Sequence, residues 1–135
     1  IKRYAFGNCE NLKEIVIPNN VVFIGENAFS YCTNLEKASL NEGLESLGKN
    51  SFRNCNLTTL IIPSTVTYSG GTIFEENKYF MELVNLSKVD NSAFGKTQIN
   101  NFATLDYTSG IFTIDNEFTF CFDYENKKIV LTPSI

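Results

Sequence analysis

A repeat with a period of roughly 23 residues runs through the first part of the chain and constrains its fold more than any other feature. Columns of phenylalanine, cysteine and glycine keep this period: Phe6, Phe29, Phe52 and Phe74; Cys9, Cys32 and Cys55; Gly25, Gly48 and Gly70. The step is constant until one residue missing after Cys55 shortens the later steps by one. One such copy cannot enclose a core by itself, so the period predicts copies stacked into a solenoid.

Each copy predicts two short strands followed by a turn segment. In residues 12–17 apolar side chains alternate with Glu14 and Val16, which predicts a strand with one side toward the core. Residues 21–24 predict a second extended piece. Residues 26–32 contain no β-branched side chain and predict one or two helical turns. Equivalent strands of neighbouring copies are expected to pair in parallel, about 4.8 Å apart.

Stacking places equivalent side chains over one another, so the phenylalanine rings are expected about 4.5 to 7 Å apart. The predicted structural core contains Phe6, Phe29, Phe52, Phe74, Cys9, Cys32 and Cys55. These cysteines stand one full period apart and the chain has no histidine, which argues against a zinc site. Neighbouring copies could satisfy disulfide geometry, but three cysteines in one column cannot all pair. We expect free thiols packed as small apolar groups, and the pattern leaves the orientation of Cys121 open.

Composition excludes several classes of function. The absence of histidine removes every mechanism that needs an imidazole, and no catalytic residue, cofactor or metal is predicted. A net charge of −4 argues against nucleic acid as a partner. No apolar run approaches the roughly 18 residues of a spanning helix, so we expect no membrane insertion. No signal-like segment stands at the start, so we expect that any targeting segment has been removed or lies outside this stretch.

A family resemblance rests on the pattern L-x-x-I-x-I-P-x-x-V-x-x-I-G-x-x-A-F-x-x-C, read from Leu12 to Cys32. This pattern resembles the leucine-rich repeats of the BspA-like, or Treponema pallidum, class, over about residues 1–77. The resemblance implies a right-handed solenoid in a secreted or cell-surface protein of bacteria or parasitic protists. Members are associated with adhesion and protein binding, and not with catalysis.

The expected fold is therefore a mainly β leucine-rich repeat solenoid, with parallel strands, short helical turns and a C-terminal antiparallel β meander or cap. Regular repeats occupy residues 1–77 and degenerate ones residues 78–105. In residues 106–135 the period disappears, and three strands are predicted near 111–114, 118–122 and 129–131. They form a cap or the start of a further module, and we favour the cap. The chain begins in the middle of a copy, so we expect it to be a piece of a longer protein.

The candidate ligand site is the outward side of the first strand of each copy. Its residues are Lys13, Glu14, Val16, Glu36, Lys37, Ser39, Thr58, Thr59 and Ile61. One interpretation is mutual neutralisation, with Lys13 opposite Glu36 and Glu14 opposite Lys37. The other is a binding surface for a protein ligand of the host or a neighbouring cell. We expect an adhesion module, with a structural spacer or an accessory domain of a secreted enzyme as alternatives.

Overall fold

The structure is a computed structural model of the 135-residue chain. It describes residues 1–80, 82–89, 96–99, 103–106, 111–114, 118–123 and 128–133, and the side chains of residues 1–80 and 83–89. The described residues form strands and turns and contain no helix. The strands are β1 (Glu14–Val16), β2 (Phe23–Ile24), β3 (Lys37–Ser39), β4 (Ser46–Leu47), β5 (Thr59–Ile62), β6 (Tyr68–Ser69), β7 (Glu82–Asn85), β8 (Lys96–Ile99), β9 (Ala103–Asp106), β10 (Ile111–Ile114), β11 (Phe118–Asp123) and β12 (Lys128–Pro133).

Two rows of parallel strands confirm the stacked architecture. The first row contains β1, β3, β5 and β7, and Ile15 lies opposite Ala38 in the pair β1–β3. The second row, β2–β4–β6, is continuous, with Leu47 paired to Ile24 on one side and to Ser69 on the other. Each copy of the repeat therefore contributes one coil, and equivalent residues of adjacent coils lie side by side.

The predicted helical turns of residues 26–32 are wrong, because this segment is a series of tight turns. The amides of Ala28 and Cys32 donate to carbonyl oxygens three residues back, both at 3.2 Å. The amides of Asn27 and Phe29, on either side of Ala28, instead donate to the next coil at 2.9 and 2.8 Å. In an α-helix over these residues the amide of Tyr31 would bond to Asn27, four residues back, whereas here it donates to the carbonyl of Arg53 in the next coil at 2.9 Å. The stacked coil supplies acceptors for alternate amides, and that is incompatible with a helix.

A left-handed backbone conformation recurs twice in each turn segment. Its positions follow the repeat, with φ between 55° and 63°: Tyr4, Asn27, Asn50 and Thr72, and then Asn8, Tyr31, Asn54 and Glu76. Asparagine tolerates this conformation better than most residues. The repeat therefore fixes backbone geometry as well as the apolar columns.

The first three phenylalanines of the column form the predicted stack. Ring centroids are 5.2 Å apart for Phe6 and Phe29 and 5.1 Å apart for Phe29 and Phe52, with interplanar angles of 7° and 1°. Phe74 is also fully buried and stacks on Phe80 at 4.7 Å. Phe6 departs from the prediction of a core residue, because 41% of it is exposed. It belongs to the first coil, so a neighbouring coil covers only one of its faces.

The glycine column marks where adjacent coils pass closest. A Cβ atom on Gly48 would lie 2.4 Å from the amide nitrogen of Glu26, and one on Gly70 would lie 2.4 Å from that of Lys49. Neither glycine has a positive φ. Glycine is thus needed here for the close approach of two backbones.

The C-terminal strands occur where the sequence predicts them, but a single meander of the three is not confirmed. β11 and β12 are antiparallel, and β12 also pairs antiparallel with β7, Ile129 lying opposite Leu83. β10 instead pairs with β9, which pairs with β8. The assignment of residues 106–135 as a cap stays a prediction.

Candidate functional site

The nine residues of the candidate site form one exposed surface, which we call the strand face. It comprises Lys13, Glu14, Val16, Glu36, Lys37, Ser39, Thr58, Thr59 and Ile61, all of them exposed. Val16 is 63% exposed and Ile61 50% exposed, so this surface includes branched apolar side chains in contact with water. The predicted outward orientation is confirmed, and the predicted ligand role stays a prediction.

Neither charge pair expected on the strand face, Lys13 with Glu36 or Glu14 with Lys37, forms an ion pair within 4.0 Å. Glu14 lies opposite Lys37 in the β1–β3 register. Among the described side chains, however, the ion pairs within 4.0 Å are Arg3–Glu26 and Arg53–Glu75, and neither belongs to the strand face. An exposed pair contributes at most about 1 kcal/mol and restricts two long side chains, so solvation of the separate charges is a competitive state. The charged groups of the strand face are therefore available to a ligand.

The first row of strands is interrupted between β3 and β5. β1 pairs with β3, and β5 pairs with β7, but β3 and β5 form no ladder although both lie wholly within the described residues. In the pair β1–β3 the amide of Ile17 donates to Ser39 at 2.9 Å, and in β5–β7 the amide of Leu86 donates to Ile62 at 3.0 Å. No hydrogen bond from Leu40 to β5 takes the equivalent place between these described strands.

The interruption coincides with the residue missing from the third coil. Two residues separate Cys32 from Leu35, whereas Asn56 alone separates Cys55 from Leu57. The amide of Asn56 donates to the carbonyl of Leu35 at 2.9 Å, and this bond ties the shortened corner to the second coil. The strand that follows this corner, β5, is the one that forms no ladder with β3.

A groove of about 330 Å³ lies at the interruption, and we call it the gap groove. It is lined by Lys37, Ala38, Ser39, Leu40, Thr58, Thr59 and Ile61. Five of these residues belong to the predicted strand face; Ala38 and Leu40 are half-buried and are not among the predicted site residues. The shortened step after Cys55 is the sequence signal for this groove.

Two thiols of the cysteine column donate hydrogen bonds to main-chain carbonyl groups of the preceding coil. Cys9, Cys32 and Cys55 are free thiols, the last two buried and Cys9 partly so. Cys32 donates to the carbonyl of Phe6 and Cys55 to that of Phe29, each at 3.1 Å. Hydrogen bonding to the Cys32 thiol, and then burial, raise the pKa of the Cys55 thiol above its usual value. A thiol held protonated in this way is a poor nucleophile.

Asn77 continues the cysteine column and was not predicted. It lies one period after Cys55, is fully buried, and donates to the carbonyl of Phe52 at 2.9 Å, as the thiols do one coil earlier. Its Oδ1 also accepts the amide of Leu57 at 2.9 Å. Asn77 thereby satisfies backbone groups beside the shortened corner. The side chain of the fourth cysteine, Cys121 in β11, lies outside the described side chains.

Candidate metal-ligand clusters and membrane-spanning helices are absent from the described part of the chain. No group of three or more potential metal ligands occurs among those residues. Nor do they include a helix of the length and hydropathy that crossing a membrane requires.

Parallel coils of this length, stacked around apolar columns, define a leucine-rich repeat solenoid. The chain matches the family described as "BspA type Leucine rich repeat region (6 copies)" over residues 1–129. It therefore belongs to the BspA-type leucine-rich repeat family, and the match extends beyond the residues 1–77 that carry the resemblance in sequence.

Solved structures of bacterial leucine-rich proteins are similar to this chain. One is a leucine-rich cell surface protein from Faecalibacterium prausnitzii A2-165, with 25% identity and a TM-score of 0.64 over 84% of this chain and 28% of that one. Another is a leucine-rich repeat protein from Bacteroides ovatus ATCC 8483, with 25% identity and a TM-score of 0.45 over 70% of this chain and 32% of that one. The chain thus spans under a third of the length of either protein. No curated protein matches it.

Proposed function

We propose that this chain is a non-enzymatic protein-binding module of a secreted or cell-surface protein, and that it mediates adhesion through the strand face. The observation that supports this most is the exposure of Val16 and Ile61 among charged side chains that make no ion pair with each other. Single exposed apolar residues are common, but here two of them occupy the same position of the first and third coils, with Ser39 at that position of the second. Solenoids use such extended surfaces for binding. The similar cell surface protein from Faecalibacterium is consistent with display outside the cell.

The test is binding to a panel of purified extracellular-matrix and cell-surface proteins immobilised on a sensor. We expect saturable binding of the wild-type chain to at least one of them. Combining Glu14→Ala, Lys37→Ala and Ile61→Ser should weaken that binding at least tenfold and leave the melting temperature nearly unchanged, because all three side chains are exposed.

A matched control changes one acidic, one basic and one apolar exposed residue in or next to the second row. Glu45→Ala, Lys49→Ala and Tyr68→Ser remove exposed groups away from the strand face. This variant should bind like the wild type. Equal loss in both variants would contradict a role for the strand face, and no saturable binding to any protein would favour a structural spacer.

A further inference from the structure

The gap groove contains main-chain groups that no neighbouring strand satisfies. In a parallel sheet, alternate residues of a strand bond to opposite neighbours. Ser39 accepts from Ile17 on the β1 side, so the adjacent Ala38 and Leu40 face β5. By the same alternation Ile62 bonds toward β7, and Ile61 therefore faces β3. These main-chain groups favour water or a ligand with polar groups, since unpaired main-chain groups are costly to bury.

The interruption is confined to one side of the solenoid. In the second row Ser46 pairs with Tyr68, and the amide of Gly70 donates to the carbonyl of Leu47 at 2.8 Å. The second and third coils are therefore held together behind the gap groove while their first-row strands stay unpaired. Because the second-row pairing holds these two coils together, the groove is a fixed feature of the fold.

The groove is too narrow to admit another strand. Cα atoms of β3 and β5 still lie within 8 Å of each other. Inserting a strand between them would require a separation of roughly 9 to 10 Å, twice the spacing of paired strands. The occupant is therefore a side chain that enters from the strand face, carried by a segment that lies across the face.

The lining defines the chemistry of that side chain. Ala38, Leu40 and Ile61 supply apolar surface, and the groove volume of about 330 Å³ is at the lower end of the range for small-molecule sites. Lys37 is the single charged residue of the lining and makes no ion pair within 4.0 Å among the described side chains. An apolar group beside a carboxylate complements this combination.

We propose that the gap groove binds an extended segment of a protein partner, taking up one aromatic side chain while a carboxylate two residues away contacts the Lys37 ammonium. Residues two apart in an extended chain point to the same side, so one segment can supply both groups. Aromatic side chains in pockets commonly dominate binding at protein interfaces. The proposal rests on the proposed function, because it makes the gap groove the anchor point of the strand face.

The probe is the end-blocked pentapeptide Thr-Phe-Thr-Asp-Thr, titrated into the isotope-labelled chain and followed by NMR. We expect saturable shifts at the amides of Ala38, Leu40, Thr59 and Ile61. Replacing the peptide's Phe by Ala, or its Asp by Asn, should raise the dissociation constant at least fivefold. Absence of shifts with the parent peptide, or shifts confined to the second row, would overturn the proposal.

A one-residue insertion tests the groove directly. Inserting Thr between Cys55 and Asn56 restores the Cys-Thr-Asn-Leu corner of the second coil, and it should pair β3 with β5 and abolish peptide binding. Should that variant fail to fold, Ile61→Thr removes apolar lining from an exposed position and should weaken binding at least fivefold. Tyr68→Ser, on the second row, is the control and should leave peptide binding unchanged. Full binding by a folded insertion variant, or by Ile61→Thr, would refute the assignment.

Two further outcomes separate this proposal from the function on which it rests. If the insertion variant and Ile61→Thr keep wild-type affinity for the sensor-bound protein that the strand-face variant loses, the groove is not the anchor, while the proposed function stands. Maltohexaose is the second probe. Shifts of the groove amides with this neutral oligosaccharide and with no peptide would replace the peptide segment by a glycan and overturn the proposal.

Discussion

At the scale of single residues, stability depends on side chains that pack between the equivalent side chains of the two neighbouring coils. Phe29 is fully buried, with the ring of Phe6 on one face and that of Phe52 on the other, at centroid distances of 5.2 and 5.1 Å. Stacked aromatic pairs contribute roughly 0.5–1.5 kcal/mol beyond the burial of their area. Phe29 therefore stabilises the fold both by the complete burial of its side chain and by two stacking contacts.

Phe29→Ala should lower the free energy of unfolding by about 3–5 kcal/mol, the range for emptying a large aromatic site. Urea denaturation followed by circular dichroism measures it. Phe6→Ala is the matched control and should cost clearly less, because Phe6 is 41% exposed and has one stacking neighbour of this column. A loss for Phe29→Ala below about 1 kcal/mol, far under the range for such a site, or equal losses in both variants, would contradict the stacked column.

The apolar columns could be predicted from sequence because every coil presents the same position to its neighbour. Asn77 was missed because a polar residue in a cysteine column reads as the loss of that column. The thiols of Cys32 and Cys55 donate to main-chain carbonyl groups, and the side-chain amide of Asn77 donates in the same way. The role of Asn77 can be recognised only once these hydrogen bonds are known. The burial of Asn77 thus follows from hydrogen bonding, which periodicity alone does not reveal.

At the scale of elements, strands were predicted better than the segments between them. Alternation located β1, β3 and β5, because a strand with one buried side leaves a clear period of two. Residues 26–32 have helix-compatible side chains, but their alternate amides bond to the next coil, and no local propensity reports that competition. The shortened step after Cys55 was visible in sequence; that it interrupts the first row and leaves the second row intact was not.

The close approach of coils predicts a severe effect of Gly48→Ala. A Cβ atom there would lie 2.4 Å from the amide nitrogen of Glu26, and a backbone in a stacked coil cannot move aside easily. We expect the free energy of unfolding, measured by urea denaturation, to fall by about 1–3 kcal/mol, as for overpacked cores. The control is Gly71→Ala, where no other atom lies within 4 Å of the new methyl group. Comparable stability of the two variants would show that the coils are further apart.

At the scale of the whole molecule, the chain is a stack whose coils are joined by two rows of strands and by the turn segments. The first row extends from β5 through β7 to the antiparallel pair of β12 and β11, so C-terminal strands join the sheet of the repeats. The limits 1–77, 78–105 and 106–135 stay a prediction, as does the cap.

Native-state hydrogen exchange measured by NMR tests the central claim most directly, namely that coils are joined in register except between β3 and β5. The amides of Ile17, Gly48, Gly70 and Leu86 bond across coils at 2.8 to 3.0 Å, and they should exchange slowly. The amide of Leu40, equivalent to that of Ile17 one coil later, should exchange at least tenfold faster than Ile17. Exchange of Leu40 as slow as that of Ile17, or fast exchange at all five amides, would contradict the account.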